Sequence, residues 1–392
     1  MHKPLFLISL SGGGFRAALY HAGVLRAHFE SGIFKLGSQE HDVIINAVSA
    51  GAIPAMVWNE FLSGDSDFQI SDPYWPEEKI LNLVTTGPSF GGKWNWKIRG
   101  VIFHAQDAWL AHLDKWWHSC SVPIGLNTRL GVVNKPGVGQ VAPIFLIEIL
   151  DYYTGNLWSF RDQKLFQTST NYFKYGNLQS SEITTVFSWQ SVPLAITAAT
   201  AFPGYFPGVK AFKSKFIDAG LIDNLALYAF KPLVNVTPNG RGLKRGDKWF
   251  SSDAGKPMAV PSDAEEFFKE KWEVVPKLSI FDSVFRLAGD LAQPATSSIF
   301  LEAIRQYAEV QIFGSGIGFL PYESQDFEKP WMTTANLQDE TSISAVPTGL
   351  YPLKFEDAVC IMAQGAQSAS SALETPETVR NSICERILGL AK

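Results

Sequence analysis

The sequence is short of the residues that several common kinds of protein chemistry require. Its three cysteines, Cys120, Cys360 and Cys384, have no Cys-x-x-Cys spacing, so they predict neither a disulfide framework nor a zinc site and favour a reducing compartment. The 392 residues carry a formal net charge of −5, which gives no general attraction to nucleic acid. No continuous apolar run approaches the roughly 20 residues that a membrane span needs. We therefore expect a cytoplasmic protein, with any membrane contact peripheral, at the inner membrane surface.

Metal ligands in the usual spacings are also missing. The segment Asp65-Ser66-Asp67 begins like a calcium-binding loop, but Phe68 and Gln69 continue it without the required Gly and Glu. We expect no bound calcium, no other metal and no cofactor.

Apolar runs of strand length are present in the first part of the chain, at 5–10, 43–48, 143–150 and 212–217. Helix-like stretches, including 16–29, lie between the first three runs. This alternation predicts an α/β fold with a mostly parallel central sheet.

The second part of the chain has a different composition. After a stretch rich in Gly, Pro, Asn, Ser and Lys at 235–261, we predict mainly helices, including 297–313 and 355–390. We therefore divide the chain into an α/β domain over 1–235 and a mainly helical C-terminal extension over 236–392 that packs on it.

Three successive glycines, Gly12, Gly13 and Gly14, follow the first predicted strand and precede a predicted helix. A strand-to-helix turn of this kind points backbone N–H groups and the positive end of the helix dipole at its ligand, so it suits an anion. The anion is either a permanent phosphate or an oxyanion that exists only during catalysis.

The phosphate alternative would make the chain a dinucleotide-binding oxidoreductase. Gly12-x-Gly14-x-x-Ala17 fits the fingerprint of that class. The fingerprint also expects an acidic residue at the end of the second strand, where this chain has Val48-Ser49.

The second predicted strand ends in a pattern typical of a nucleophile elbow. Ala47-Val48-Ser49-Ala50-Gly51 places small residues two positions before and after a serine, where strand and helix backbones nearly touch. The alternative interpretation is a turn of small residues with no nucleophile.

A nucleophilic serine needs a base, and histidine is absent after His118. An acid followed by a histidine therefore cannot lie beyond that point, which argues against the usual order of serine, acid and histidine. An aspartate that acts directly on the serine remains, and Asp218, next to Ala219-Gly220, is the preferred candidate. Asp223 and Asp151 are the rival candidates.

Taken together, these motifs resemble the patatin-like phospholipase family. The resemblance covers about residues 5–230 and rests on Gly12-Gly13-Gly14-Phe15-Arg16, on Ser49, on Asp218-Ala219-Gly220 followed by Asn224, and on ATAFPGYFPGV at 199–209. The chain departs from the family pattern by small residues at Ser11, Ala17, Ala47 and Ala219.

The resemblance implies a three-layer α/β/α fold and a lipid acyl hydrolase whose catalytic domain is 1–235. Ser49 would be the nucleophile and Asp218 the general base. An oxyanion hole would be formed by backbone amides of Gly12, Gly13, Gly14 and Ala50, with Arg16, Gly51 and Gly220 in support. The substrate would be a phospholipid or related glycerolipid. A non-catalytic binding protein with the same fold is a third possibility.

Tryptophan is concentrated in one part of the chain, with seven of twelve between Trp58 and Trp117. Trp109, Trp116 and Trp117 fall on one predicted helical stripe. Because tryptophan suits the membrane–water boundary, one hypothesis is that Trp116 and Trp117 are partly exposed and contact lipid. The alternative is an ordinary core helix.

Overall fold

The structure is a computed structural model. It describes residues 5–34, 42–63, 73–87, 101–119, 143–167, 191–230, 248–254, 311–313 and 350–390, apart from 154, 156, 162, 163, 204, 205, 212, 253 and 351. Among these residues, no helix combines the length and apolar character needed to cross a membrane.

The described residues include nine strands, which form one mixed sheet. The strands are β1 (Leu5–Leu10), β2 (Asp42–Val48), β3 (Ile144–Asp151), β4 (Leu157–Arg161), β5 (Lys164–Gln167), β6 (Val209–Ala211), β7 (Ser214–Asp218), β8 (Lys248–Ser252) and β9 (Gln311–Phe313). The main order is β5-β4-β3-β2-β1-β8-β9, in which β3, β2, β1, β8 and β9 are parallel neighbours. The predicted α/β class and its parallel central sheet are confirmed.

One local feature of the sheet positions the site. Up to the pair Val48–Glu148, β3 pairs with β2, which runs parallel to it. From the pair Ile149–Asp218 onward, β3 pairs with β7, which runs antiparallel to it. Since β4 occupies the other side of β3, β7 continues the edge that β2 leaves. The carboxyl ends of β2 and β7 therefore meet head to head.

In the part of the chain that the structure describes, seven α-helices accompany the sheet: α1 (Gly14–Glu30), α2 (Ala52–Ser63), α3 (Trp75–Thr86), α4 (Val101–Ser119), α5 (Val192–Ala199), α6 (Phe355–Ala372) and α7 (Glu377–Gly389). Each of them contributes side chains to one apolar cluster with the sheet face that carries Ile8, Ile45 and Ile147. Among the described residues, the opposite face of the sheet is covered by the segment 219–230, which packs on Val48, Leu150 and Ile217.

The described part of 236–392 is mainly helical, but it also contributes the strands β8 and β9 to the sheet. The single stretch predicted over 355–390 is two helices, α6 and α7, separated at Leu373–Pro376. The helix predicted over 297–313 is wrong at its end, because Gln311–Phe313 forms β9, and the rest lies outside the described residues. Because β8 and β9 join the same sheet as β1, residues from both sides of position 235 share one core. The division into two domains stays a prediction.

The hypothesis that Trp116 and Trp117 are partly exposed is wrong, and the alternative of a core helix is confirmed. Their side chains are 3% and 4% exposed, and Trp109 is fully buried. The Trp109 indole N–H donates to the hydroxyl of Thr200, and that of Trp116 donates to the carbonyl of Lys79, so two of the three polar edges are satisfied inside the protein.

A buried lysine explains why these rings face inward. The ammonium of Lys79 lies 4.2 Å from the ring centre of Trp117, 5.6 Å from that of Trp116 and 4.6 Å from that of Trp75. It also forms an ion pair of 3.1 Å with Glu60. Aromatic faces attract a desolvated cation, so these tryptophans enclose a charge of the core.

A second buried cation uses Trp58. The guanidinium of Arg26 donates to both carboxylate oxygens of Glu77, at 2.9 and 2.6 Å, and both side chains are fully buried. The ring centres of Trp58 and Tyr74 lie 5.0 and 4.3 Å from the guanidinium carbon. Packing around Arg26 and Lys79 thus accounts for four of the clustered tryptophans.

Candidate active site

Ser49 lies at a sharp turn between β2 and α2. It has a φ of 53°, which is uncommon for a residue other than glycine, and it opens a 3₁₀ turn over Ser49–Gly51. A Cβ at Gly51 would lie 2.6 Å from the carbonyl oxygen of Ser11 and 3.0 Å from that of Leu10. The start of α2 therefore touches the end of β1, as expected for a nucleophile elbow.

The head-to-head meeting of β2 and β7 brings the serine to an aspartate. The hydroxyl of Ser49 donates to Oδ2 of Asp218 at 2.6 Å. The other carboxylate oxygen, Oδ1, accepts from the N–H of Gly220 at 2.8 Å, which fixes the orientation of the carboxylate. The structure thus places the predicted nucleophile and base within hydrogen-bond distance, and their roles stay predictions.

The environment of Asp218 adjusts its acidity. Burial raises the pKa of Asp218 from 3.8 to about 7, while the hydrogen bonds from Ser49 and Gly220 oppose this rise. A carboxyl group whose pKa lies near neutral can both accept and return a proton at moderate cost, which is what general acid–base catalysis needs.

The glycine turn lies directly beside Ser49, but one of its amides is already engaged. The N–H of Gly12 donates to the carbonyl of Asn224 at 2.9 Å. The expectation that the Gly12 amide belongs to the oxyanion hole is therefore corrected. Gly12 instead serves close packing, since a Cβ there would collide with the side-chain oxygen of Asn224 and lie 2.9 Å from Cβ of Ser49.

The remaining expected donors lie at the amino ends of helices. Gly14 begins α1 and Gly13 precedes it, and both are partly exposed beside the buried Gly12. Ala50 lies in the first turn after β2. N–H groups in the first turn of a helix have no partner within the helix, so those of Gly14 and Ala50 are suited to an anion beside Ser49.

A buried polar network supports the glycine turn, and the sequence analysis did not find it. The hydroxyl of Ser11 accepts from the N–H of Ala254 at 2.8 Å and lies 3.2 Å from Nε2 of His21. Nδ1 of His21 lies 3.1 Å from the hydroxyl of Ser252. Burial lowers the pKa of His21 to about 3, so this imidazole is neutral and joins β1, α1 and β8 by hydrogen bonds.

Arg16, an expected supporting residue, is fully buried beneath the same turn. A Cβ at Gly13 would lie 3.8 Å from its Nη2 atom. The guanidinium thus lies next to the backbone of the glycine turn and adds positive potential there.

The two rival aspartates have other neighbours. Asp223 is a hydrogen-bonding neighbour of Glu148, and burial together with Asp223 raises the pKa of Glu148 well above its ordinary value. Asn46 donates to Glu148 at 3.2 Å and to the carbonyl of Ala226 at 2.8 Å. Asp151 accepts from the N–H of Tyr153 at 3.0 Å. The candidate base hydrogen-bonded to Ser49 is Asp218.

A solved structure shares this architecture. The structure of human GIVD cytosolic phospholipase A2 superposes with a TM-score of 0.51 and 13% sequence identity, over 97% of this chain and 60% of that one. The fold is therefore that of this phospholipase. A second structure of the human protein, in complex with methyl gamma-linolenyl fluorophosphonate, gives a TM-score of 0.49 and 14% identity, over 98% of this chain and 59% of that one.

The present chain thus spans about 60% of the length of the phospholipase that it matches. No protein-family model and no curated protein sequence matches the chain. In the part of the chain that the structure describes, no three His, Cys, Asp or Glu side chains are grouped so that they could hold a metal ion.

Proposed function

We propose that the chain is a lipid acyl hydrolase that cleaves carboxylic ester bonds of phospholipids or related glycerolipids with a Ser49–Asp218 dyad. The observation that carries the proposal is the 2.6 Å hydrogen bond from Ser49 to a buried aspartate at a strand-to-helix turn. Support for the lipid substrate comes from the shared fold with human GIVD cytosolic phospholipase A2 and from the patatin-like motifs at Gly12–Gly14, Ser49 and Asp218.

In the first half of the proposed reaction, Oγ of Ser49 attacks the ester carbonyl carbon while Oδ2 of Asp218 takes the hydroxyl proton. The negative charge that develops on the carbonyl oxygen is held by the N–H groups of Gly13, Gly14 and Ala50. Such preorganised donors are typically worth about 3–4 kcal/mol each in barrier height. When the intermediate collapses, Asp218 returns the proton to the leaving alcohol and an acyl group remains on Ser49.

In the second half, water attacks the acyl group as Asp218 takes one of its protons. The same N–H groups hold the second oxyanion, and Asp218 returns the proton to Oγ as the fatty acid leaves. Since Asp218 must be ionised to accept a proton, its pKa of about 7 predicts activity that rises with pH through neutrality.

Reaction with a fluorophosphonate separates this proposal from its two alternatives, because only an activated serine is phosphonylated. We expect one adduct on Ser49 in the native chain, none in Ser49→Ala, and strongly slowed labelling in Asp218→Asn. A folded Ser49→Ala variant is the control for labelling elsewhere. A native chain that stays unlabelled would indicate the non-catalytic protein or the oxidoreductase, and a calorimetric titration with a nicotinamide dinucleotide then decides between these two.

A further inference from the structure

Two adjacent tyrosines are the most exposed large apolar side chains among the described residues. Tyr152 and Tyr153 follow β3 directly and are 58% and 64% exposed. Their rings stack edge to face with centres 5.7 Å apart. An aromatic pair held in water in this way has an apolar body and a hydroxyl tip, which is the character of residues at a membrane interface.

Three lysines accompany the tyrosines. Lys210, Lys213 and Lys215 belong to the β6–β7 hairpin, and the ammonium of Lys215 lies 4.7 Å from the ring centre of Tyr152. The N–H of Tyr152 donates to the carbonyl of Lys215 at 2.8 Å, so the segment that follows β3 is joined to the β6–β7 hairpin. We name Tyr152, Tyr153, Lys210, Lys213 and Lys215 the tyrosine–lysine tip.

The arrangement of charges in the tip favours an anionic partner. Lys210 and Lys215 are directly opposite in the β6–β7 ladder, a placement of like charges that destabilises a strand pair. Among the described residues, the acid between these segments is Asp151, whose carboxylate is buried and accepts from the N–H of Tyr153 and the hydroxyl of Ser214. Three positive charges thus gather in a chain whose formal net charge is −5.

The tip also lies at the same end of strand β3 as Ser49. β7 runs from the lysines directly to Asp218, three residues after Lys215, which is roughly 10 Å at the usual rise of a strand. The tyrosines lie at the carboxyl end of β3, the end at which β2 delivers Ser49. A surface bound to the tip would be next to the candidate site.

We propose that the tyrosine–lysine tip docks the protein on a bilayer that contains anionic phospholipid. The tyrosine rings enter the interfacial region, and the three ammonium groups bind lipid phosphates. This inference rests on the proposed function for its choice of lipid, and it replaces the buried tryptophans of α4 as the lipid contact.

The test measures flotation with vesicles in a Ser49→Ala background, so that no lipid is consumed. With phosphatidylcholine vesicles that contain phosphatidylglycerol, Lys210→Gln, Lys213→Gln and Lys215→Gln should each weaken binding about fivefold, and the triple variant about a hundredfold. With pure phosphatidylcholine the lysine variants should change binding little. Tyr152→Ser with Tyr153→Ser should weaken binding to both kinds of vesicle.

The control variant removes a positive charge and an apolar side chain at another part of the surface. Lys354→Gln with Val379→Ser alters an exposed lysine and an exposed apolar side chain in the C-terminal helical region, and it should bind as the parent does. In the chain with Ser49 intact, every tip variant should hydrolyse a short soluble ester with unchanged kcat/KM.

Three outcomes would overturn the docking inference. They are a parent that does not bind anionic vesicles, tip variants that bind as tightly as the control, and tip variants that lose soluble-ester hydrolysis in parallel with binding. Failure of the proposed function has a different signature, since then no version hydrolyses the soluble ester while flotation still reports on the tip.

Discussion

Replacement of Asp218 by asparagine should stabilise the fold at alkaline pH while it removes activity. The folded state raises the pKa of Asp218 from 3.8 to about 7, so the folded protein holds this proton more tightly than the unfolded chain does. Stability therefore falls as pH rises between these two values, and the full cost is present above pH 7. A shift of about three pKa units corresponds to about 4 kcal/mol.

Asparagine has nearly the same shape and does not ionise, so Asp218→Asn escapes this cost. Part of the gain is lost because the amide accepts fewer hydrogen bonds from Ser49 and Gly220. We expect a gain of about 1–4 kcal/mol in the free energy of unfolding near pH 8, and a value about 2–3 kcal/mol lower near pH 5, because about two pH units of the shift lie between pH 5 and pH 7. The remaining ionisable groups, including Glu148 and Asp223, are the same in both proteins and cancel in the difference.

Urea unfolding at a series of pH values from about 5 to 8 measures this difference. Ser49→Ala is the control, because it retains the carboxyl group and removes a hydrogen bond that lowers its pKa, so its stability should fall with pH at least as far as that of the native chain. Parallel stability curves for the native chain and Asp218→Asn would show instead that Asp218 has an ordinary pKa in the folded protein.

Three further perturbations follow from the same geometry. Hydrolysis should survive EDTA, because the oxyanion is assigned to backbone N–H groups, and activity lost on chelation and restored by calcium would contradict this assignment. Gly51→Ala should cost about 1–3 kcal/mol and reduce turnover, because its Cβ would meet the backbone of β1, whereas Gly389→Ala, where a Cβ meets nothing within 4 Å, should do neither. Equal thermal midpoints of these two variants would disprove the close approach. Glu77→Gln should cost about 3–5 kcal/mol by removing the fully buried counter-charge of Arg26, and Glu30→Gln, which changes a partly exposed partner of Arg26, should cost under about 1 kcal/mol. Similar unfolding energies for these two would contradict the buried pair.

The elbow could be predicted because its requirements are local. The short side chains of Ala47 and Gly51 around Ser49 reflect contacts within a few residues, and Gly51 does touch the end of β1. Asp218 was selected by its glycine neighbour, and the N–H of Gly220 does hold its carboxylate.

The register that joins these two residues could not be predicted from either segment alone. It requires β2 and β7 to share one side of β3, with Val48 opposite Glu148 and Asp218 opposite Ile149. The engagement of the Gly12 amide depends in the same way on Asn224, 212 positions later in the chain, which is a contact that no local pattern reports.

The tryptophans of α4 show how a helical stripe can mislead. The stripe correctly indicates a helix with one apolar face, but periodicity does not distinguish lipid from protein as the partner of that face. The partner is the ammonium of Lys79, which comes from α3 and whose burial depends on the ion pair with Glu60 of α2. A lysine in the sequence gives no sign of such burial.

The proposed acyl hydrolysis by Ser49 and Asp218 can be measured as hydrolysis of a defined phospholipid in ¹⁸O-labelled water, followed by mass spectrometry of the products. A Ser49–Asp218 acyl hydrolase should release fatty acid that carries one ¹⁸O atom, together with an unlabelled lysophospholipid, and folded Ser49→Ala and Asp218→Asn should release almost none. Fatty acid released at the native rate by either variant, or labelled phosphate-containing products in place of labelled fatty acid, would contradict the account.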